Sequence, residues 1–156
     1  FIKLAEKNTG NSKLLFLIIG DGELKNSCLD YIYKKKLKNI YFKGFVNQNN
    51  LKYYYNISDI LIQTSSYETW GLTINESLAS GTPVICTKDC GASHDLIKNK
   101  KVGKMYSTGN INELDNKMKR LLIKKNKINQ NKINKTIANN TIDKTLNSIH
   151  KILYGK

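Results

Sequence analysis

The chain is organised around one segment, which reads Ser66-Tyr67-Glu68-Thr69-Trp70-Gly71-Leu72-Thr73-Ile74-Asn75-Glu76-Ser77-Leu78-Ala79-Ser80-Gly81-Thr82-Pro83-Val84-Ile85. Two carboxylates, Glu68 and Glu76, stand on either side of an aromatic-glycine turn. A helix is predicted to begin just after Gly71. We expect it to end at Gly81, because glycine is favoured just past a helix end and Pro83 cannot continue a helix. The apolar residues that follow Pro83 predict a strand.

Strands and helices alternate along the rest of the chain with short connections between them. This pattern predicts an α/β fold, a Rossmann-like parallel sheet with helices on both faces, in one domain spanning residues 1–156. The predicted strands are 14–19, 39–43, 59–63, 84–87 and 102–106. The predicted helices are 1–8, 23–36, 51–56, 72–80, 112–124 and 141–154, and a loop at 90–97 is predicted to turn into a helix. Segment 125–140 is predicted to be either loose or a poor helix.

Apolar stripes at helical spacing support three of these helices. They comprise Leu24, Cys28, Tyr31 and Ile32; Leu114, Met118, Leu121 and Leu122, which are predicted to face inward; and Ile142, Leu146, Ile149 and Leu153. The first residue is Phe1, and a helical pattern is already present there. We therefore expect the chain to be a piece of a longer protein. No signal peptide and no apolar run of the roughly 20 residues that span a bilayer is visible.

The net charge of +14 invites comparison with nucleic-acid-binding proteins. Arg120 is the only arginine, however, and arginine is the usual residue for forked contacts to phosphates and bases. Lys34-Lys35-Lys36 is most simply the solvated face of a helix. The sequence therefore does not favour nucleic acid as a partner, and peripheral contact with an anionic membrane surface is the better-supported interpretation of the charge.

The chain has an odd number of cysteines, Cys28, Cys86 and Cys90, and their spacing is not that of a metal site. This favours a reducing compartment and therefore a cytoplasmic location. Any peripheral membrane contact is then expected at the inner membrane surface. Cys86 falls in a buried strand and is expected to be inert. Cys90 has no sequence neighbour suited to activating a nucleophile. The two histidines, His94 and His150, lack partners at metal-ligand spacing, so no metal is expected.

Glycine-bearing turns follow three of the predicted strands, at Gly20-Asp21-Gly22, Gly44-Phe45 and residues 67–72. Because each turn follows a strand, we expect all three turns along the edge of the sheet formed by the carboxyl ends of the strands. Ligands of parallel α/β sheets bind at that edge. Gly20-x-Gly22 precedes a helix, a position suited to anions. It is a weak signal, because Lys25 occupies the place of the third glycine of G-x-G-x-x-G.

Glu76 is predicted to lie one helical turn beyond Gly71, on a face shared with Leu72, Ala79 and Ser80. That face reads as buried, so the carboxylate needs partners. Sugar or ribose hydroxyls are one possibility, and the free amides of residues 71–73 are suited to a phosphate. The alternative is a structural role, in which Glu76 meets a lysine or caps a neighbouring loop.

The segment Glu68 to Ile85 resembles the E-x7-E region of the GT4 family of retaining glycosyltransferases, which have the GT-B fold and the pattern E-G-F-G-L-x-x-x-E-A-M-A-x-G-x-P-V-I. The flanking segments are also similar to family motifs. These are Phe16 to Gly22, Phe42-Lys43-Gly44-Phe45-Val46, Tyr54-Tyr55-Asn56-Ile57-Ser58-Asp59-Ile60 and Gly91 through Ile97. The resemblance covers about residues 10 to 125.

The resemblance implies the donor-binding half of a two-domain enzyme that transfers a hexose from a nucleotide-sugar, without a metal, to a glycan or lipid acceptor. It implies that Glu76 holds ribose hydroxyls and that Glu68, the catalytic candidate, holds hydroxyls of the donor sugar. It places the diphosphate or sugar at the Trp70, Gly71 and Leu72 amides. Backbone around Val46 would meet the base, and Gly20 and Gly22 would line the donor pocket.

Several features depart from the family pattern. Trp70 replaces phenylalanine, Thr69 replaces glycine, and Ser77-Leu78 replaces alanine-methionine. The family's arginine and lysine that clamp the diphosphate would lie before Phe1, and its acceptor domain is absent. We therefore expect the isolated chain to bind nucleotide weakly and not to transfer sugar.

Three other functions remain open at this point. The first is another GT-B enzyme, such as a sugar-nucleotide epimerase or a phosphorylase, although the E-x7-E form argues against it. The second is a non-catalytic α/β nucleotide-binding module. The third is a flavodoxin-like signalling domain, which would require acidic residues clustered after the first strand, where only Asp21 stands.

Overall fold

The structure, a computed structural model, describes residues 1–98, 101–123, 130–138 and 141–155. The strands are β1 (Phe16–Ile19), β2 (Ile40–Gly44), β3 (Leu61–Gln63), β4 (Val84–Thr87) and β5 (Gly103–Tyr106). The helices are α1 (Ile2–Lys7), α2 (Lys25–Lys34), α3 (Gln48–Ile57), α4 (Leu72–Ala79), α5 (Ile111–Ile123), α6 (Gln130–Ala138) and α7 (Ile142–Tyr154), and a π-helical turn spans Ser93–Ile97. No helix among these residues is long and apolar enough to cross a membrane.

All pairings within the two sheets are parallel, and the predicted α/β fold class, with parallel strands flanked by helices, is confirmed. One sheet contains β1 and β2, and the other has the order β3-β4-β5. The central strand β4 is buried along its whole length, as expected for a strand covered on both faces. The chain divides into two compact units, Phe1–Tyr54 and Tyr55–Lys156, which are described separately.

In the N-terminal unit, β1 begins two residues later than predicted, at Phe16, and Leu15 before it is exposed. The ladder to β2 carries an irregularity between Ile18 and Ile19, beyond which the Gly20 amide donates to the Gly44 carbonyl at 2.9 Å. The predicted apolar stripe of the second helix is wrong at one end. Its first member, Leu24, precedes α2 and is exposed.

The core of the C-terminal unit lies around β4 and the elements packed on it. Its buried members are Ile74, Leu78, Val84, Cys86, Cys90, Ala92, Leu96, Ile97, Val102 and Ile133. Ile133 belongs to α6, so the described part of segment 125–140 is a helix with a buried side chain at its centre. The remainder of that segment, 125–129 and 139–140, lies outside the described residues.

The amphipathic character of α5 is confirmed, because Leu114, Met118 and Leu121 are buried. Helix α7 also forms where its periodicity predicts, with Thr141 accepting a hydrogen bond from the Lys144 amide at its start. Its apolar residues Leu146 and Leu153 are nevertheless exposed. Amphipathic spacing therefore identified both helices correctly and indicated the buried face of α5, but the spacing of α7 did not indicate that its apolar residues are exposed.

Candidate functional site

The predicted site residues fall into two groups, one in each compact unit. Gly20, Gly22 and Val46 belong to the N-terminal unit. The other five, Glu68, Trp70, Gly71, Leu72 and Glu76, belong to the C-terminal unit, on α4 and on the loop before it.

The loop that carries Glu68 is hydrogen-bonded to the segment after β4. Glu68 and Cys90 form a parallel bridge, in which the Gly91 amide donates to the Glu68 carbonyl at 3.0 Å. The Ala92 amide donates to the Trp70 carbonyl at 2.9 Å. The approach is so close that a Cβ on Gly91 would lie 2.1 Å from the Thr69 carbonyl oxygen. A side chain at position 91 would therefore separate the two segments.

Cys90 contributes a third contact to the same loop. Its buried thiol donates to the Trp70 carbonyl, with 3.0 Å between Sγ and the oxygen. Burial raises the pKa of Cys90, and the charge of Glu68 raises it further. Burial also raises the pKa of Cys86, to about 12. Both groups are therefore protonated near neutral pH, which agrees with the expectation that neither is a nucleophile.

Gly71 forms the turn between the loop and α4. Its φ of 92° and ψ of 67° lie in the left-handed region, which glycine adopts readily. A Cβ there would lie 2.8 Å from the Cys90 Sγ and 3.2 Å from the Glu68 Cγ. Backbone conformation and space thus both require glycine between the two carboxylates.

Helix α4 begins at Leu72, just after Gly71 as the sequence predicts, and its last residue is Ala79, two residues before the expected end at Gly81. At its end the Thr82 amide donates to the Ser77 carbonyl and the Gly81 amide to the Leu78 carbonyl, both at 2.9 Å, which is the Schellman arrangement. Gly81 has a φ of 81°. The buried hydroxyl of Ser77 also donates to the Thr82 carbonyl at 3.0 Å. Serine in place of the family's alanine therefore adds a hydrogen bond at the helix end.

The predicted burial of one face of α4 is wrong. Leu72 is 69% exposed and Ala79 is also exposed, whereas Ile74, Ser77 and Leu78 are buried. The i, i+3, i+4 spacing of the buried residues places them on the side that packs against the core. The exposed Leu72 starts the helix, whose first N–H groups have no acceptor within the helix and so suit an anion.

Two side-chain hydrogen bonds fix groups on α4. The Tyr55 hydroxyl donates to Oε2 of Glu76 at 2.8 Å, and the Trp70 indole N–H donates to Oδ1 of Asn75 at 2.9 Å. Burial raises the pKa of Tyr55, and its hydrogen bond to Glu76 raises it further. Sequence reasoning missed Tyr55 as a partner of Glu76, because nothing in the local pattern distinguishes it from its neighbours Tyr53 and Tyr54.

In the N-terminal unit, Gly20 adopts a φ of 135°, which glycine tolerates best. Asp21 accepts a hydrogen bond from the Gly22 amide at 2.9 Å and forms an ion pair of 2.7 Å with Lys25. These contacts, that with Lys25 first, lower the pKa of Asp21. Asp21 thus stabilises the turn at Gly22. Val46 lies half-buried in the loop after β2.

Among the residues that the structure describes, no group of three or more histidine, cysteine, aspartate or glutamate side chains could hold a metal ion. His94 is exposed, and its Nε2 lies 3.0 Å from the Lys88 carbonyl oxygen. It is therefore a surface histidine of the π-helical turn.

Comparison with protein-family models gives one match, to the family described as glycosyl transferases group 1, over residues 1–140. Among characterised proteins, the chain is 41% identical over 85 residues to the alpha-monoglucosyldiacylglycerol synthase of Acholeplasma laidlawii. That alignment covers 53% of this chain and 21% of the enzyme. The chain spans between a fifth and a quarter of the length of the curated relatives it matches.

Solved structures give the same picture. A variant of S. aureus TarM, in complex with fondaparinux, alpha-GlcNAc-glycerol and UDP, matches with a TM-score of 0.76 and 25% identity over 88% of this chain and 28% of that one. The C-terminal domain of a group 1 glycosyl transferase from Francisella tularensis shares the fold, with a TM-score of 0.72 and 23% identity. That alignment covers 88% of this chain and 74% of the solved domain.

Proposed function

Because the chain belongs to the family of glycosyl transferases group 1, we propose that it is the donor-binding part of a retaining glycosyltransferase. The donor is a nucleotide-diphosphate sugar, and the transferred group is a hexose. The acceptor is a glycan or a lipid, and it binds to another part of the full-length protein.

The geometry of the segment from Glu68 to Glu76 carries this proposal. Two carboxylates flank a glycine turn whose conformation is fixed, and the turn leads directly into the amino end of α4. Carboxylates are acceptors that suit sugar hydroxyls, and helix-start amides suit a phosphate. A nucleotide-sugar carries hydroxyls on its ribose and on its sugar, with the diphosphate between them. The segment has the same order, with a carboxylate on either side of the helix-start amides.

Each residue takes a role consistent with its position. Glu76 holds the ribose hydroxyls, and Glu68 holds hydroxyls of the donor sugar. The amides of Trp70, Gly71 and Leu72 meet the diphosphate, whose charge the helix dipole favours. In the N-terminal unit, we assign contact with the base to the backbone around Val46. Gly20 and Gly22 line the donor pocket, where glycine lets the backbone approach the ligand closely. No residue in this scheme requires a metal.

Four features support the finer parts of the proposal. The Acholeplasma relative is named as a synthase of a glucosyl lipid, and the TarM structure contains UDP together with an alpha-linked GlcNAc compound. Transfer of a hexose from a nucleotide donor, with retention at the anomeric carbon, agrees with both. The excess of lysine favours peripheral contact with an anionic membrane, and the free cysteines favour a cytoplasmic location.

Titration with nucleoside diphosphates tests the proposal. UDP, GDP and ADP are added separately to the isotope-labelled chain, and backbone chemical shifts are followed. We expect one of them to shift the signals of Gly71, Leu72, Thr73 and Glu76. If none of the three moves these signals, the donor-binding role is wrong.

A further inference from the structure

The main chain of Tyr55 is anchored beside α4. Its carbonyl accepts a hydrogen bond of 2.7 Å from the hydroxyl of Thr82. Thr82 is itself buried and is fixed to the end of α4 by the hydrogen bond that its amide donates to the Ser77 carbonyl. The backbone from which the tyrosine ring projects is therefore held to the helix that carries Glu76.

The side chain of Tyr55 makes a second, separate contact with the same helix. Its hydroxyl lies 2.8 Å from Oε2 of Glu76, and both residues are half-buried. A carboxylate only accepts hydrogen bonds, so the phenol is the donor. The raised pKa of Tyr55 keeps its proton in place at any physiological pH. Hydrogen bonds to an ionised acceptor are stronger than neutral ones.

We propose that Tyr55 is a positioning residue, which holds Oε2 of Glu76 so that the other carboxylate oxygen is presented to the ribose hydroxyls. This inference rests on the proposed role of Glu76. A glutamate side chain has several rotatable bonds, and ordering it on binding costs conformational entropy. Tyr55 fixes the carboxylate before the nucleotide arrives, so less of that entropy is lost on binding.

Tyr53 provides the matched comparison. It lies on the same helix, α3, but is exposed. Tyr53→Phe and Tyr55→Phe each remove one phenolic hydroxyl and keep the ring. A purely structural role of the Tyr55 hydroxyl, tying α3 to α4, predicts lower stability but no change in recognition of the ribose.

The experiment measures the binding of UDP, GDP and ADP and of their 2′,3′-dideoxy counterparts. Each is titrated into the wild-type chain and into four variants, which are Tyr55→Phe, Tyr53→Phe, Glu76→Gln and the Tyr55→Phe/Glu76→Gln double variant. For the ribonucleotide that binds, we expect Tyr55→Phe to weaken affinity about three- to tenfold, the range that loss of one hydrogen bond gives. The dideoxy counterpart should bind both proteins equally, and Tyr53→Phe should match the wild type. The double variant should bind no more weakly than Glu76→Gln alone, because the two residues act as one unit.

The possible failures are distinguishable. If Glu76→Gln weakens ribonucleotide binding and Tyr55→Phe does not, the positioning role is wrong and the proposed function stands. Equal weakening of ribonucleotide and dideoxynucleotide by Tyr55→Phe also overturns it, in favour of a structural role. If Glu76→Gln changes nothing, or none of the three nucleotides binds, the proposed function fails and this inference fails with it.

Discussion

The amide nitrogen of Gly91 lies 3.0 Å from the carbonyl oxygen of Glu68, to which it donates a hydrogen bond. Through this contact the segment after β4 determines where the loop before α4 runs. The position of Glu68 thus depends on a glycine in a different part of the chain. Together with the left-handed turn at Gly71, the contact constrains the course of the loop.

Gly91→Ala should destabilise the chain. The added methyl group would lie 2.1 Å from the Thr69 carbonyl oxygen, which is backbone and cannot rotate away. Overpacking of this kind costs roughly 1–3 kcal/mol in the free energy of unfolding. Urea denaturation followed by the fluorescence of Trp70, the only tryptophan, measures the loss.

Gly10→Ala is the control for this variant, because a Cβ at Gly10 meets nothing within 4 Å. It should unfold at the same urea concentration as the wild type. A Gly91→Ala chain as stable as the control would show that the loop does not depend on the close approach seen in the structure.

The three thiols should differ in reactivity. Cys86 and Cys90 are buried and burial raises the pKa of both, whereas Cys28 on α2 is half-buried. Iodoacetamide near neutral pH should therefore modify Cys28 first, and all three cysteines only in denaturant. Peptide mapping by mass spectrometry identifies the site. Rapid labelling of Cys90 in the native chain would mean that its contact with the Trp70 carbonyl is not maintained.

Glu113→Gln should make stability less sensitive to acid. The pKa of Glu113 is lowered from its ordinary value of 4.5 to about 2. The hydrogen bond from Lys117 is the largest cause, and the hydrogen bond from the Ser107 amide adds to it. A carboxyl whose pKa is lowered in the folded state stabilises the fold above its unfolded pKa, and this contribution is lost as pH falls through the folded value. The variant should therefore be less stable than the wild type at pH 7, with the difference disappearing between about pH 4.5 and about pH 2.

Thermal unfolding across this pH range measures the difference. Asp143→Asn, which neutralises an exposed carboxylate on α7, is the control and should not reproduce the same acid dependence. If the Glu113→Gln chain is less stable than the wild type by the same amount at every pH, the variant has lost packing rather than a charge interaction.

The isolated chain should not transfer sugar. It spans a quarter or less of the length of the relatives it matches, and the proposed acceptor site lies in another part of the full-length protein. Incubation with a panel of nucleotide-sugars and glycan or lipid acceptors, followed by mass spectrometry of the products, should yield no new glycoside. Sustained turnover by the chain would refute the assignment of acceptor binding to other parts of the protein.

Local patterns in the sequence predicted much of the fold. Each predicted strand has a counterpart in the structure, and α4 lies between Gly71 and Gly81 as expected, because the glycines that flank a helix are a property of the local sequence. The burial of Leu72 was predicted wrongly, because periodicity identifies a helix face but not what covers it. The same reason explains why the apolar stripe of α7 gave no indication of its exposure.

The contacts that organise the candidate site could not be predicted in the same way. Tyr55 and Glu76 lie on different helices, and Cys90 meets Trp70 only because β4 places the following segment beside the loop. Such pairs are set by the parallel arrangement of strands, so no short window of sequence contains them. Gly91 was the available signal, since a glycine in a strand-to-helix loop often marks a close approach of two backbones.

The central claim assigns ribose recognition to Glu76 and donor-sugar recognition to Glu68, and the most direct test compares alanine variants of the two. Binding of UDP and UDP-glucose, or of the corresponding pair for the base that the chain prefers, is measured for Glu76→Ala and Glu68→Ala by calorimetry. We expect Glu76→Ala to weaken both ligands about tenfold or more, as loss of hydrogen bonds to a charged group does, and Glu68→Ala to weaken the nucleotide-sugar alone. Equal loss of affinity for both ligands in both variants would contradict this division of roles.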